Sequence, residues 1–268
     1  MNDKNINKLF YNYKRRIKNV WEEYLLIKFS LDELKKNHKK KSIGSRFKRE
    51  LLLEEVKWDY KDMDIHDFIE SIRKNKLDSK TLIEAVSLTE TFLQDLTSNV
   101  YKDFPLKVTH NNPDSVSSEI KLTKLIVSSA NRDEMINALV EEKVRSIFYG
   151  KPVEFFEKDK AKIGINSYFK SQSQKALTEF TEIIATRNII IHNNGNVDSK
   201  YLREVKNSTY SKGNKIKVDK EFIRNSIIVL RGLSATTTKL VLENTYNIDV
   251  SNKRITRMAK TLNTYLEL

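Results

Sequence analysis

Three residues in one short stretch have the types needed for chemistry on a phosphodiester: Arg187, Asn188 and His192. At about 100° per residue, Leu177, Phe180, Ile183, Ile184, Ile190 and Ile191 form one broad apolar helix face, and Arg187 lies in its middle. A guanidinium keeps its proton, so its place there costs several kcal/mol, roughly, unless an anion or a set of acceptors meets it. The anion is either a carboxylate of the chain, for which Glu90, Glu141 and Glu142 are candidates, or a bound phosphate. Asn188 and His192 are four residues apart and share one side of the helix at the edge of the apolar face. His192 stands near the helix end marked by Gly195, where the helix dipole favours a positively charged ring. An Arg that can hold a phosphate beside a His that can act as a general acid makes a bound phosphate the functional alternative to an ion pair.

Arg187, Asn188, three apolar residues and His192 resemble the signature of HEPN ribonucleases, an Arg, four to six intervening residues often begun by Asn, and a His. The continuation His192-Asn193-Asn194-Gly195-Asn196-Val197, followed by Lys200-Tyr201-Leu202, resembles one bacterial branch in which an Asn-rich turn closes the motif helix. The stretch Lys143 to Gly150, with Val144, Arg145, Ile147, Phe148 and Tyr149, is similar to the helix that precedes the motif there. The resemblance covers about Asp78 to Tyr246.

The resemblance implies a compact helical bundle that forms a homodimer, its two motif helices facing each other across a composite active cleft. Arg187 of each chain would stabilise the pentacoordinate phosphorane, His192 would act as base or acid, and Asn188 would orient the phosphate or the imidazole. No metal or other cofactor is implied, and the products would carry a 2′,3′-cyclic phosphate and a 5′-hydroxyl. The implied setting is antiviral defence, a toxin system or RNA processing under stress, with an antitoxin or activator protein as a possible partner. The residue two places after the motif His is Asn194, where toxins silenced by nucleotidylation carry Tyr, which puts that form of control in doubt. The residues agree with a dimer independently. The chain has four imidazoles, His38, His66, His110 and His192, and two-fold symmetry supplies a second His192. Two other readings stay open: a non-catalytic HEPN-fold protein that binds RNA or a partner, and a helical DNA-binding or scaffold protein in which the motif is coincidence.

The elements that must hold these residues read as an all-α chain, an antiparallel helical bundle with a long N-terminal helical extension. With 6 Gly and 3 Pro in 268 residues, the frequent turns of an all-β chain are missing. A net charge of +13 attracts polyanions, nucleic acid first among them. The absence of Cys removes thiolate nucleophiles and thiolate metal sites, and fits a reducing compartment. A polar amino terminus and the lack of a long apolar run predict a cytoplasmic protein away from membranes.

Residues 1–75 read as a helical arm. Phe10, Tyr13, Ile17, Val20, Tyr24, Ile27, Leu31 and Leu34 alternate in steps of three and four, as a helix packed on its own chain or as a dimerisation seam. A basic segment follows, in which Lys39, Lys40, Lys41, Arg46, Lys48 and Arg49 are candidate RNA contacts, together with Asn193, Lys212 and Lys215 near the motif. A shorter helix bearing Phe47, Leu51, Leu52 and Val56 closes the arm. Residues 76–247 read as the HEPN-like domain: helices from Asp78 to before Pro105, from about Asp114, from Asn131 to Gly150, from Ser171 to Asn193 and from Asp219 to about Tyr246. A polar loop runs from Asn194 to Lys217, and residues 248–268 read as a short basic tail.

Overall fold

A computed structural model describes residues 3–37, 69–109, 131–150, 152–166, 168–250 and 253–267. Among them the regular structure is helical, and the one extended pairing is an isolated bridge between Asn196 and Lys215. The basic candidates Lys39, Lys40, Lys41, Arg46, Lys48 and Arg49, the helix expected around Phe47 to Val56 and the start expected near Asp114 lie outside the described residues.

Helix α1 (Asp3–Asn37) buries Ile6, Phe10, Tyr13, Ile17, Val20 and Tyr24, spaced by three or four so that one stripe faces inward. The stripe packs on α2 (Leu77–Asp103), which a π-helical turn, Ile72–Lys76, precedes. The two helices are antiparallel, since the Tyr13 and Thr89 hydroxyls are 3.0 Å apart, Lys28 donates to Asp78 at 3.1 Å, and Arg73 donates to Asp32 at 3.2 Å. The amino-terminal part of the seam therefore packs on its own chain, while Ile27 and Leu34 further along stay largely exposed. The core is continuous from α1 into the rest of the bundle.

After α3 (Leu106–Thr109) comes α4 (Arg132–Phe148), which starts as its sequence predicts: the Asn131 side chain accepts from the Glu134 N–H at 2.9 Å. Two short helices, α5 (Val153–Glu157) and α6 (Tyr168–Gln172), place Phe155, Phe156 and Phe169 under the motif helix α7 (Gln174–His192), where the Phe156 and Phe180 rings meet edge to face at 5.1 Å. The short helix α8 (Ser199–Glu204) interrupts the polar loop.

Helix α9 (Lys220–Asn244), capped by Asp219 through the Phe222 N–H at 2.9 Å, is the central element and packs on α1, α2 and α7. Its small residues let neighbours approach closely, and the buried hydroxyls of Ser234, Thr237 and Thr238 donate to carbonyls one turn back at 2.7 to 2.8 Å. The stretch expected to be a basic tail holds a helix instead, α10 (Lys253–Glu267), whose Ile255 and Leu262 are buried with Met258 between them against α9. Arg254, Arg257 and Lys260 lie exposed around that narrow stripe, which is why composition hides it. Among the described residues no helix is long and apolar enough to cross a membrane.

Gly232 is where α9 and α10 come closest, and a Cβ placed on it would stand 2.5 Å from the Leu262 Cβ. Gly→Ala inside a helix ordinarily stabilises by about 1 kcal/mol. Here we expect Gly232→Ala to destabilise by about 1–3 kcal/mol through overpacking, as read by urea unfolding. A gain in stability would show that α10 does not dock on this face.

Candidate active site

The end of α7 is fixed locally before any ligand is considered. Asn193 N–H and Gly195 N–H both donate to the Ile189 carbonyl, at 3.0 and 2.8 Å, and Asn194 and Gly195 turn back with φ of +48° and +75°. This left-handed helix stop is the reason for the Asn-Asn-Gly run, since Asn and Gly tolerate positive φ. The Asn193 amide donates to the Asn196 carbonyl at 2.6 Å, so this residue, expected to contact RNA, is engaged in closing the turn. Three more backbone bonds tie the turn to the far end of the loop: Ile216 N–H to Gly195 O at 2.9 Å, Val197 N–H to Asn214 O at 2.8 Å and Gly213 N–H to Val197 O at 2.8 Å. A satellite apolar cluster of Ala185, Ile189, Val197 and Tyr201 lies beneath.

Arg187 is mostly buried, and its Nη2 donates to Glu90 Oε1 on α2. Of the three carboxylates that could have met the guanidinium, α2 supplies the one, ninety-seven residues away in sequence. Arg187 Nε is buried and has no hydrogen-bond partner among the described residues. Burial pushes the Glu90 carboxyl above its ordinary value, and the neighbouring Arg187 works against that rise. Ile183 and Ile184 are buried beside Arg187 and Ile190 packs on the core, but Ile191, expected on the same buried face, is 46% exposed.

His192 is exposed at the last position of α7, and it is the one imidazole among the described residues. Asn188, one turn earlier, is half-buried and lines a cleft of about 320 Å³ with Thr181, Ile184, Gly150, Lys200 and Arg203. Five residues turn a helix by about 140°, so Arg187 and His192 leave α7 on different sides and one chain does not stack them on one stripe. Tyr149, the residue before Gly150, is 82% exposed.

Lys212 is exposed in the turn at 211–214, and Lys215 is exposed with its Nζ donating to the Asn194 carbonyl beside the motif. On the other side of the helix end lies a larger cleft of about 710 Å³, lined by Lys74, Lys76 and Lys80 from the π turn and α2 and by Lys215 and Lys217 from the loop. Sequence reasoning missed Lys74, Lys76, Lys80 and Lys217, which form no run and meet only through the fold. Among the described residues no three His, Cys, Asp or Glu side chains converge as a metal-binding group would require. Compared with known proteins, the chain matches no family model, no curated protein and no solved structure, so its own geometry carries the functional argument.

The Arg187–Glu90 pair predicts a pH-dependent cost. Without Arg187 the folded-state pKa of Glu90 rises further above its unfolded value, so the folded protein favours the protonated acid and loses stability as pH climbs through that raised value. The destabilisation caused by Arg187→Ala should be small at about pH 4 and reach about 1–3 kcal/mol at about pH 8, less than for a fully buried pair because both groups retain some solvent. Adding Glu90→Gln should remove most of the pH dependence in urea titrations. Equal losses at both pH values would mean that another group answers the guanidinium.

Proposed function

We propose that this chain is a metal-independent endoribonuclease of the HEPN type that acts as a homodimer in the cytoplasm, in antiviral defence or as a toxin. The observation that carries this reading is the outward side of α7, where Ile191 and His192 are exposed and Asn188 lines a cleft, on the helix whose Arg187 is fixed by Glu90. An exposed isoleucine on the motif helix and a nearly bare Tyr149 before the Asn188 cleft suit a second copy of the chain better than water.

In the reaction a base takes the proton of the RNA 2′-hydroxyl, whose oxygen attacks the adjacent phosphorus. The 5′-oxygen leaves with a proton from an acid, giving a 2′,3′-cyclic phosphate and a 5′-hydroxyl. One His192 from each protomer supplies the two proton-transfer groups. Arg187 places positive charge beside the phosphorane, and Asn188 donates from its amide to a phosphate oxygen. The charge stabilisation that a divalent cation would provide comes from the guanidinium.

A second reading rests on the same ion pair. With Glu90 already answering Arg187, the residue has a structural task, and the protein would then be a non-catalytic HEPN-like binder of RNA or of a partner such as an antitoxin or activator.

Turnover on single-stranded and transfer RNA in EDTA separates the two. The wild type is expected to cleave and leave cyclic phosphate ends, and His192→Ala and Arg187→Ala should each lower the rate by at least about 100-fold. Cleavage lost in EDTA and restored by Mg²⁺ would overturn the metal-free mechanism, and no cleavage at all would favour the binding protein. The shared site has its own test. When wild type exchanges subunits with excess His192→Ala chain, activity should fall as the square of the wild-type fraction, and a linear fall would place a complete site in each protomer.

A further inference from the structure

We propose that the lysine-lined cleft between the π turn and the loop after the motif is a second binding site of the molecule, a track for the sugar–phosphate backbone of single-stranded RNA leading to His192. That the bound strand is substrate rests on the ribonuclease reading; that the cleft takes a polyphosphate chain rests on its own chemistry.

The cleft of about 710 Å³ draws on two regions far apart in sequence: Ser71, Lys74, Lys76, Ser79 and Lys80 from one wall, and Asn194, Gly195, Lys215, Ile216 and Lys217 from the other. Five lysines line it, and none of its lining residues is Asp or Glu. Lys74 lies 3.0 Å from Glu70, but that carboxylate is shared with Lys35 and Arg73, so the surroundings stay cationic. The lysines come from both walls, as a groove following a backbone needs, and lysine ammonium groups act as point charges on phosphates without reading bases. The lining holds no aromatic residue and no deep apolar pocket edge beyond Ile190, Ile216 and Val218. Base stacking and the anchoring of a folded protein partner are therefore poorly served, whereas backbone contact is well served.

Position links the cleft to the motif. Asn194 lines it and follows His192 by two residues, so their Cα atoms are within about 7 Å. Gly195 brings the wall close: its φ of +75° and the Lys215 side chain, 3.5 Å from where a Cβ would stand, set the lysine against the helix end. A strand lying along Lys80 and Lys217 and past Lys215 thus reaches the Asn194-Gly195 turn, which directly follows the motif helix and His192. The π turn contributes two of the lysines, and such turns recur at functional sites.

The experiment measures binding of a labelled oligoribonucleotide to full-length His192→Ala protein, in which RNA is not consumed, across a salt series. Lys80→Ala/Lys217→Ala should weaken binding about tenfold at low salt and reduce the slope of log affinity against log salt by about 1.4, two single-strand contacts' worth. The control pair Lys102→Ala/Lys170→Ala removes the same charge from exposed sites elsewhere, Lys102 being about 33 Å along α2 from Lys80. It should change affinity less than twofold. A deoxyribonucleotide of the same sequence should compete about equally if the cleft reads charge. Equal losses in both pairs would reduce the effect to bulk charge and overturn the proposal. An unchanged slope would overturn it too, as would loss of binding to a polyglutamate peptide with RNA binding intact, which would assign the cleft to an acidic protein. Because the readout is binding, an inactive wild type that still loses RNA in the cleft variant would sink the ribonuclease reading and leave the track standing.

Discussion

A charged group that cannot be neutralised sits on an apolar helix stripe, and the arrangement around α7 depends on how that is resolved. Arg187 is flanked by Ile183 and Ile184, both buried, and its charge is met by Glu90 from α2. In net free energy such a pair contributes little, because desolvation of both ions offsets most of their attraction. Its effect is on register. A helix held by apolar contacts alone can rotate about its axis or slide at small cost, but a rotation of α7 that withdraws the guanidinium from Glu90 strands two partly buried charges. The pair therefore sets the phase of α7, and the phase decides which residues face out. With Arg187 on α2, Ala185 and Ile189 join Val197 and Tyr201 in the satellite cluster, Asn188 lines its cleft, and Ile191 and His192 are turned to the surface.

How much of this is legible in the sequence depends on whether the cause is local. Helix starts at Asn131 and Asp219 and the stop at Asn194-Gly195 are set by residues that bond to backbone within a turn, and these are read directly. The need of Arg187 for an anion is equally local, since its four surface neighbours on the helix are all isoleucine. Which carboxylate answers it is not local: Glu90 stands on α2, which packs directly on α7, whereas α4, with Glu141 and Glu142, packs on α2. The same limit explains α10. Among the described residues its apolar stripe is Ile255, Met258 and Leu262 within a cationic segment, and the surface that makes those residues worth burying, the gap at Gly232, belongs to another helix.

The boundary drawn near residue 75 follows a real shift in composition, yet core packing ignores it. Tyr13 stacks on Phe92 at 4.5 Å, and Lys28 reaches the buried Asp78, so α1 and α2 share one interior. Lys74 lies before that boundary and Lys80 after it, while Lys215 and Lys217 follow the motif. Separately they look like ordinary solvated lysines. They reach one cleft because α2 packs on α7 and the loop is bonded to the stop at the end of α7.

That convergence has a mechanical consequence. The turn at Asn193–Gly195 is bonded at its start to Ile189 and at its end to Ile216, so the loop wall of the cleft and the imidazole at the end of α7 belong to one hydrogen-bonded frame. The opposite wall runs from the π turn, tied to α1 by Arg73 with Asp32 and by Lys35 with Glu70, into Ser79 and Lys80 of α2, the helix whose Glu90 holds Arg187. These ion pairs are partly exposed and individually weak, and none of them touches α7. Lys80 of α2 and Ile190 of α7 line the cleft as well, so a shift of that wall would be felt at the Arg187–Glu90 pair, which joins the same two helices. In the proposed enzyme, capture of the strand and chemistry on it would then be coupled, because the two helices that carry the motif and its ion pair also line the cleft.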